Sequence, residues 1–405
     1  MILLYICLSP FCILIFTKEE KDSKLLTGGI IMPDFYECYA SAAFGLEGVV
    51  ASELRDLGML NVASENGGVR FSASEEDIMK CNLSLRCCDR VFILLAESVC
   101  TSFDALFNLV RALPWEQYMN GTEQINISSK CVRSRLMSPR DCQSITKKAV
   151  IERLREKTSR RIFPESGAAF PVSVMIHQDR TRILLNTSGE ALSRRGYRTW
   201  NGEAPLRETL AAALVLLSPW NQSSPLYDPC CGTGTILAEA ALLASHTAPG
   251  LRRSFAMEGM AFTHSEALLQ VRKSLQSLSD PGLIPAFIGG SDIDDEALKL
   301  SRRHFQQAGI SDHIHLSKLP LQELTLSEEN GVFICNPPYG ERLSDQASCR
   351  NLYRDLRLMK DRHPTWKLCA ISSDPAFERF YGKKASKKRR LYNGRLECNY
   401  YIFND

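Results

Sequence analysis

The sequence is most informative first in what it lacks. Its 405 residues contain no CxxC pair, and the seven histidines make only one close pair, His313 and His315. Metal sites need ligands spaced to converge, so no metal is expected. The 15 cysteines, an odd number with two adjacent pairs at Cys87-Cys88 and Cys230-Cys231, read as free thiols in a reducing cytosol rather than a disulfide framework. Net charge is only +3, too small to argue for a polyanionic partner, so any electrostatic case must be local. There is no internal repeat and no low-complexity tract. The one long apolar run, Ile2 to Phe16, is interrupted by Pro10. At about 15 residues it is short of the roughly 20 that span a bilayer. It also lacks the basic start and small-residue cleavage site of a secretory signal. A weak anchor, a packed or disordered arm, and translated sequence upstream of a natural start at Met32 all fit this run, and we favour the last. No membrane role is expected, and the chain is placed in the cytoplasm.

What is present is an ordinary globular composition, 44% hydrophobic and 23% charged, enough for two or three cores. Residues 35–72 read as strand, helix and strand, with Leu46, Val49, Val50, Leu54 and Leu57 on one helical face. Helices follow at Glu75–Leu85, Phe103–Leu113 and Ser144–Thr158, and strands at Arg90–Ala96 and Gln124–Ser129. A hairpin joins Val172–His177 to Thr181–Asn186. This alternation without a parallel series predicts small α+β modules. From about residue 203 the order becomes β-α-β-α, the pattern of a doubly wound parallel sheet. The boundary falls near Gly196 to Asn201.

Three motifs carry chemistry. Asp228-Pro-Cys-Cys-Gly-Thr-Gly-Thr-Ile236 lies between a short strand and a strong helix former. Glycines there permit a tight turn and close ligand approach. The helix start offers free N–H groups, and the acid can hold an ammonium or hydroxyl. Next, Gly289-Gly-Ser-Asp292-Ile-Asp294 follows a second strand, where a carboxylate commonly holds a ribose diol; Asp292 is the candidate and Asp294 the helix cap. The sharpest signal is Asn336-Pro337-Pro338-Tyr339-Gly340 after the strand Gly331–Cys335. The prolines remove two donors and present carbonyls as acceptors. An exocyclic base amine is a poor nucleophile. Hydrogen bonds from it to the Asn336 side-chain oxygen and the Pro337 carbonyl would concentrate electron density on nitrogen and aim it at a methyl sulfonium. Tyr339 offers a face on which a planar base can stack.

Flanking segments extend the pattern: Leu192-Ser-Arg194-Arg195-Gly-Tyr197-Arg198, Ala204-Pro-Leu-Arg-Glu-Thr-Leu-Ala211, the run from Asn336 to Leu343, and Leu391-Tyr-Asn-Gly-Arg-Leu-Glu-Cys398. From about Phe35 onward the ordered set resembles the THUMP-containing RNA guanine-N2 methyltransferases, the RlmL type included, which act on large-subunit ribosomal RNA. The resemblance implies an α/β fold in which a Rossmann-like S-adenosyl-L-methionine-dependent methyltransferase domain (191–405) follows α+β ferredoxin-like (33–90) and THUMP (91–190) modules, with residues 1–32 outside the fold. It implies Asn336, Pro337, Pro338 and Tyr339 as catalytic residues. The cofactor would meet Asp228, Cys230, Gly232, Gly234, Thr235, Asp292 and Asn336. One departure stands out: the stretch His315–Leu321 carries no acid to meet an adenine amine, so that contact is unassigned.

The RNA side rests on local charge. Between residues 130 and 161, 11 lysines and arginines face three acids, the kind of surface that phosphate neutralisation needs. The candidates are Arg133, Arg135, Lys147 and Lys148, with Arg194, Arg195 and Arg198 beside the catalytic domain. A third basic tract runs from Lys383 to Arg390. Other readings of the same loop are an adenine-N6 methyltransferase on DNA or RNA, and methylation of a protein glutamine amide. A non-enzymatic RNA-binding protein would have no need of an intact Asn336 loop and glycine turn.

Overall fold

The computed structural model describes residues 35–198, 206–339 and 343–404, with side chains of 343–346 excepted. The apolar run at Ile2–Phe16 and the Ala204-Pro205 and Gly340-Glu341-Arg342 portions of the motifs lie outside the described residues. In chain order the elements are β1 (Tyr36–Ala42), α1 (Glu47–Asp56), β2 (Leu60–Glu65), β3 (Gly68–Ala73), α2 (Glu75–Ser84), β4 (Cys88–Val99), α3 (Phe103–Arg111), β5 (Gln124–Val132), α4 (Pro139–Lys157), β6 (Ala169–His177) and β7 (Arg180–Asn186). There follow α5 (Glu208–Leu217), β8 (Leu226–Asp228), α6 (Thr235–Ala244), α7 (Ser265–Ser277), β9 (Ile288–Asp292), α8 (Asp295–Ala308), β10 (Ile314–Lys318) and β11 (Val332–Cys335). The last are α9 (Leu343–Arg362), β12 (Lys367–Ser372), α10 (Phe377–Tyr381), β13 (Lys387–Asn393) and β14 (Leu396–Phe403). Among the described residues no helix is long and apolar enough to cross a membrane.

The chain folds into two compact units. Of the described residues, one comprises 35–37, 92–187 and 256–263; the other comprises 38–91, 188–198, 206–255, 264–339 and 343–404. In the first, β6 pairs in parallel with β5 and antiparallel with β7, and β7 pairs antiparallel with β4. Helix α4 starts ahead of the expected Ser144. Ser138 caps it by accepting from the Asp141 N–H, and Pro139 takes the first helical position, where its missing donor costs nothing. Trp115, fully buried, donates through Nε1 to the Val110 carbonyl at 2.7 Å.

In the second unit, β1–β3 and the start of β4 form a small mixed module with α1 and α2. The larger sheet runs β10-β9-β8-β11-β12-β14-β13, parallel except for β14 and β13. Phe333 of β11 stacks on Trp366 at 4.4 Å, within a core that includes Tyr353, Phe377 and Tyr401. Burial of each such ring contributes about 1.5–3 kcal/mol. The arrangement matters because strand order reverses between β8 and β11. At such a reversal the connecting loops diverge and leave a crevice at the carboxyl ends of the strands.

Candidate active site at the carboxyl end of the sheet

Asp228, Asp292 and Asn336 all come to that crevice. Val332 and Phe333 of β11 pair with Leu226 and Tyr227 of β8, while Asp228 is level with Gly290 of β9. Asp228 is 1% exposed, and its Oδ1 accepts the Cys230 N–H at 3.0 Å. Burial holds its carboxyl well above the usual range, with the charge of Asp292 acting in the same direction. Asp292 accepts the Gly232 N–H at 2.8 Å on Oδ2 and the Asp294 N–H at 3.0 Å on Oδ1. The expected ribose acid is thus wired to the glycine turn. Asp294 caps α8, as its position predicts.

The turn itself needs glycine twice. Gly232 and Gly234 have φ of +52° and +76°, the left-handed region that side chains disfavour. A Cβ on Gly234 would fall 2.5 Å from the Phe305 ring, whereas one on Gly232 meets nothing within 4 Å. The space above Gly232 is therefore open, two residues before the N-cap of α6 at Gly234. From α8, Ser301 Oγ donates to the Gly232 carbonyl at 2.8 Å, and His304 Nδ1 lies 3.1 Å from the Thr233 carbonyl. Ser301 and His304 are not among the residues the motifs point to; two buried polar groups three apart on one helix face are the signal that marks them. Thr235 is buried as the first residue of α6 and Cys230 is half-buried. Ile293, next to Asp292, is 70% exposed, a bare apolar surface beside a carboxylate. A carboxylate at the end of β9, an open turn before a helix start, a buried carboxyl and an exposed apolar side chain suit a ligand with ribose, cationic and flat apolar parts, as S-adenosyl-L-methionine has.

The loop after β11 is set by its own contacts. Pro337 is buried, Asn336 and Tyr339 are half-buried, and Pro338 is exposed. The Tyr339 hydroxyl donates to Asn336 Oδ1 and also interacts with Asn393 and Cys398. Burial, foremost, pushes its pKa up. Tyr353 of α9, which no local pattern announces, donates to the Pro338 carbonyl at 3.4 Å and lies 3.2 Å from Ser372 Oγ.

The basic candidates separate. Arg133, Arg135 and Lys148 are exposed in the first unit, and Lys147 pairs with Glu165 at 2.6 Å. Arg194 is exposed and pairs with Glu190. Arg195 and Arg198 depart from the expectation of an RNA contact. Arg195 is 2% exposed, paired with the fully buried Glu239, and donates to the carbonyls of Leu192, Leu85 and Arg86. Arg198 pairs with Glu208 at 3.0 Å in a buried setting. Guanidinium groups desolvated and engaged in this way are turned away from any phosphate. The Lys383–Arg390 tract runs into β13, the edge strand. Among the described residues no group of three or more His, Cys, Asp or Glu could hold a metal ion.

Comparison with known proteins matches three families in order along the chain. The RlmL ferredoxin-like domain covers residues 37–92, the THUMP domain 100–186, and the RMKL-like methyltransferase domain 195–402. YpsC of Bacillus subtilis, a provisionally assigned RNA methyltransferase, is 36% identical over 91% of this chain and 96% of its own length. The ribosomal RNA large subunit methyltransferase K/L of Syntrophotalea carbinolica is 32% identical over 90% of this chain, which spans about half (53%) of that relative. Among solved structures, a Listeria monocytogenes protein described as a predicted N6-adenine-specific DNA methylase is 39% identical (TM-score 0.86, 91% and 96% of the two chains). SMU.472, a provisionally assigned methyltransferase complexed with SAH, is 36% identical (TM-score 0.87, 92% and 98%).

Proposed function

Since this chain belongs to the RlmK/L-type, S-adenosyl-L-methionine-dependent RNA methyltransferases, we propose that it methylates the exocyclic N2 amine of a guanine in large-subunit (23S) ribosomal RNA, in the cytoplasm. The observation that carries the proposal is the Asn336–Tyr339 loop at the end of β11, on the strand adjoining Asp228. When bound, S-adenosyl-L-methionine supplies an electrophilic methyl group on a sulfonium. In this reading Asp228 with the Gly232–Gly234 turn receives the cationic amino-acid part, Asp292 the ribose, and Ile293 the flat face of the adenine.

The target base leaves its stack to enter the crevice. Asn336 Oδ1 and the Pro337 carbonyl accept its two N–H bonds and orient the nitrogen lone pair, while Tyr339 and the prolines fix the plane of the ring. No strong base is required, because the methylated nitrogen, once cationic, loses its proton to water. The 91–190 module, with Arg133, Arg135, Lys147 and Lys148, neutralises phosphates and positions the RNA without reading sequence.

The test is nucleoside mass spectrometry of ribosomal RNA from cells with and without the gene, beside an Asn336→Ala complement. Loss of one N2-methylguanosine, restored by wild type and not by the variant, is expected. An unchanged N2-methylguanosine content refutes the guanine assignment, and a missing N6-methyladenosine in its place supports the adenine reading.

A further inference from the structure

The β1–α1 turn of the small module is docked on the edge strand of the catalytic sheet. Arg389 donates to the Gly45 carbonyl through Nε at 3.2 Å and a terminal nitrogen at 2.9 Å. The docking places Phe44, 49% exposed, edge-on to Tyr392 with ring centroids 5.6 Å apart and planes at 88°. The Arg390 guanidinium lies 5.6 Å from the Phe44 centroid. Glu397 accepts from the Tyr392 hydroxyl at 2.9 Å, which fixes the Tyr392 ring. Phe44 is thus exposed and Tyr392 half-buried beside an arginine, which leaves an aromatic face next to a cation open to solvent.

Its place in the fold gives it meaning. β13 and β14 pair down to Asn393 and Leu396, so their hairpin tip projects past the carboxyl end of β12. Asn393 interacts with Tyr339 of the acceptor loop. Tyr392 and Asn393 are consecutive in a strand, so their side chains point to opposite faces. Between the two faces, at the tip, Gly394 and Arg395 are exposed.

Resting on the RNA-methyltransferase reading above, we propose that Phe44, Tyr392 and Arg390 form a stacking platform for an unpaired nucleotide that neighbours the target base. The RNA strand crosses the hairpin tip: the target base enters on the Asn393 and Tyr339 side, the intervening phosphate passes Arg395, and the neighbouring base rests against Phe44 and Tyr392. The arginines supply the charge that a phosphodiester requires. The ferredoxin-like module is then a direct part of the substrate site, through one aromatic side chain.

The experiment uses the full chain, tritiated cofactor, and ribosomal RNA from cells lacking the gene. Phe44→Ala and Tyr392→Ala are compared with Phe44→Trp, and SAH affinity is followed by calorimetry. Each lost stack is expected to raise KM for the RNA roughly five- to hundredfold, with SAH affinity held and Phe44→Trp close to wild type. Wild-type KM in both alanine variants overturns the platform. So does loss of SAH binding in both alanine variants, which assigns the pair to support of the fold. If wild type methylates no RNA at all, the parent reading fails and the platform with it.

Discussion

Alanine at the two glycines of the turn should give opposite signatures. At Gly234 the added Cβ meets the Phe305 Cζ at 2.5 Å, its Cε1 at 2.7 Å and Ser301 Cβ at 3.2 Å, with φ at +76°. Left-handed strain costs about 1–2 kcal/mol and overpacking about 1–3 kcal/mol more, so Gly234→Ala should lose about 2–5 kcal/mol of stability. At Gly232 only the strain applies, because nothing lies within 4 Å of the new Cβ. The turn cannot relax to relieve it, since Asp292 holds the Gly232 N–H and Ser301 the carbonyl, each at 2.8 Å. The methyl therefore stands in the space assigned to the cofactor. Wild type with SAH at 100 times its Kd should gain about 2.7 kcal/mol. A hundredfold loss of affinity in Gly232→Ala would cut that gain to about 0.4 kcal/mol at the same concentration. Thermal and urea unfolding, each with and without SAH, read both quantities. If Gly232→Ala keeps its SAH stabilisation, or is the less stable of the two variants, the assignment of that space is wrong.

Three further outcomes follow from the same contacts. Arg195→Met should cost about 3–5 kcal/mol in urea unfolding, because it strands the buried Glu239 charge, and Arg195→Met/Glu239→Leu should recover much of that loss; a salt slope for RNA binding changed by Arg195→Met alone would return the residue to the RNA face. Lys148→Glu and Arg155→Glu, both exposed on α4, should each flatten the slope of log affinity against log salt by about one unit and weaken binding to all RNAs alike; unaltered slopes would move the phosphate track elsewhere. The raised Asp228 pKa means the folded state binds that proton more tightly than the unfolded chain, so stability should fall as pH rises through the window above the ordinary carboxylate range. On the proposed reading the SAH ammonium pairs with the ionised form, so SAH should bind more tightly as pH rises through the same window in calorimetry, and Asp228→Asn should flatten both trends.

The motifs at Asp228, Asp292 and Asn336 are legible in the sequence because each couples a residue type to a chain geometry, strand then turn then helix, that only a few positions satisfy. Strand β2 is not legible. Leu60–Glu65 is exposed or half-buried throughout and lies at the sheet edge, so no alternation is written into it. The early start of α4 is hidden because Pro139 reads as a breaker until Ser138 is seen to cap. Arg195 and Arg198 mislead for a general reason: charge alone does not report burial. Their fate is set by acids elsewhere, Glu239 being 44 residues from Arg195, and no local window contains that partner. Tyr353 is silent in the sequence likewise, as its role exists only once α9 is packed under the Pro338 carbonyl.

The same limit applies to the acceptor loop, with a consequence for selectivity. In the sequence, Asn336 presents an open oxygen to an incoming amine. In the folded chain that oxygen already accepts from the Tyr339 hydroxyl. A half-buried acceptor left without a donor would cost about 1–3 kcal/mol, and the loop avoids this by supplying its own. That oxygen has a second lone pair, so on the proposed reading the base amine is received beside a hydroxyl that already holds the acceptor in place. A group with two N–H bonds meets both acceptors, with one to Asn336 and one to the Pro337 carbonyl. A base edge presenting a carbonyl or a ring nitrogen lone pair satisfies neither and leaves two acceptors facing a third. On that reading the loop discriminates by donor count before any methyl moves, and the Tyr339 hydroxyl holds the Asn336 side chain in place.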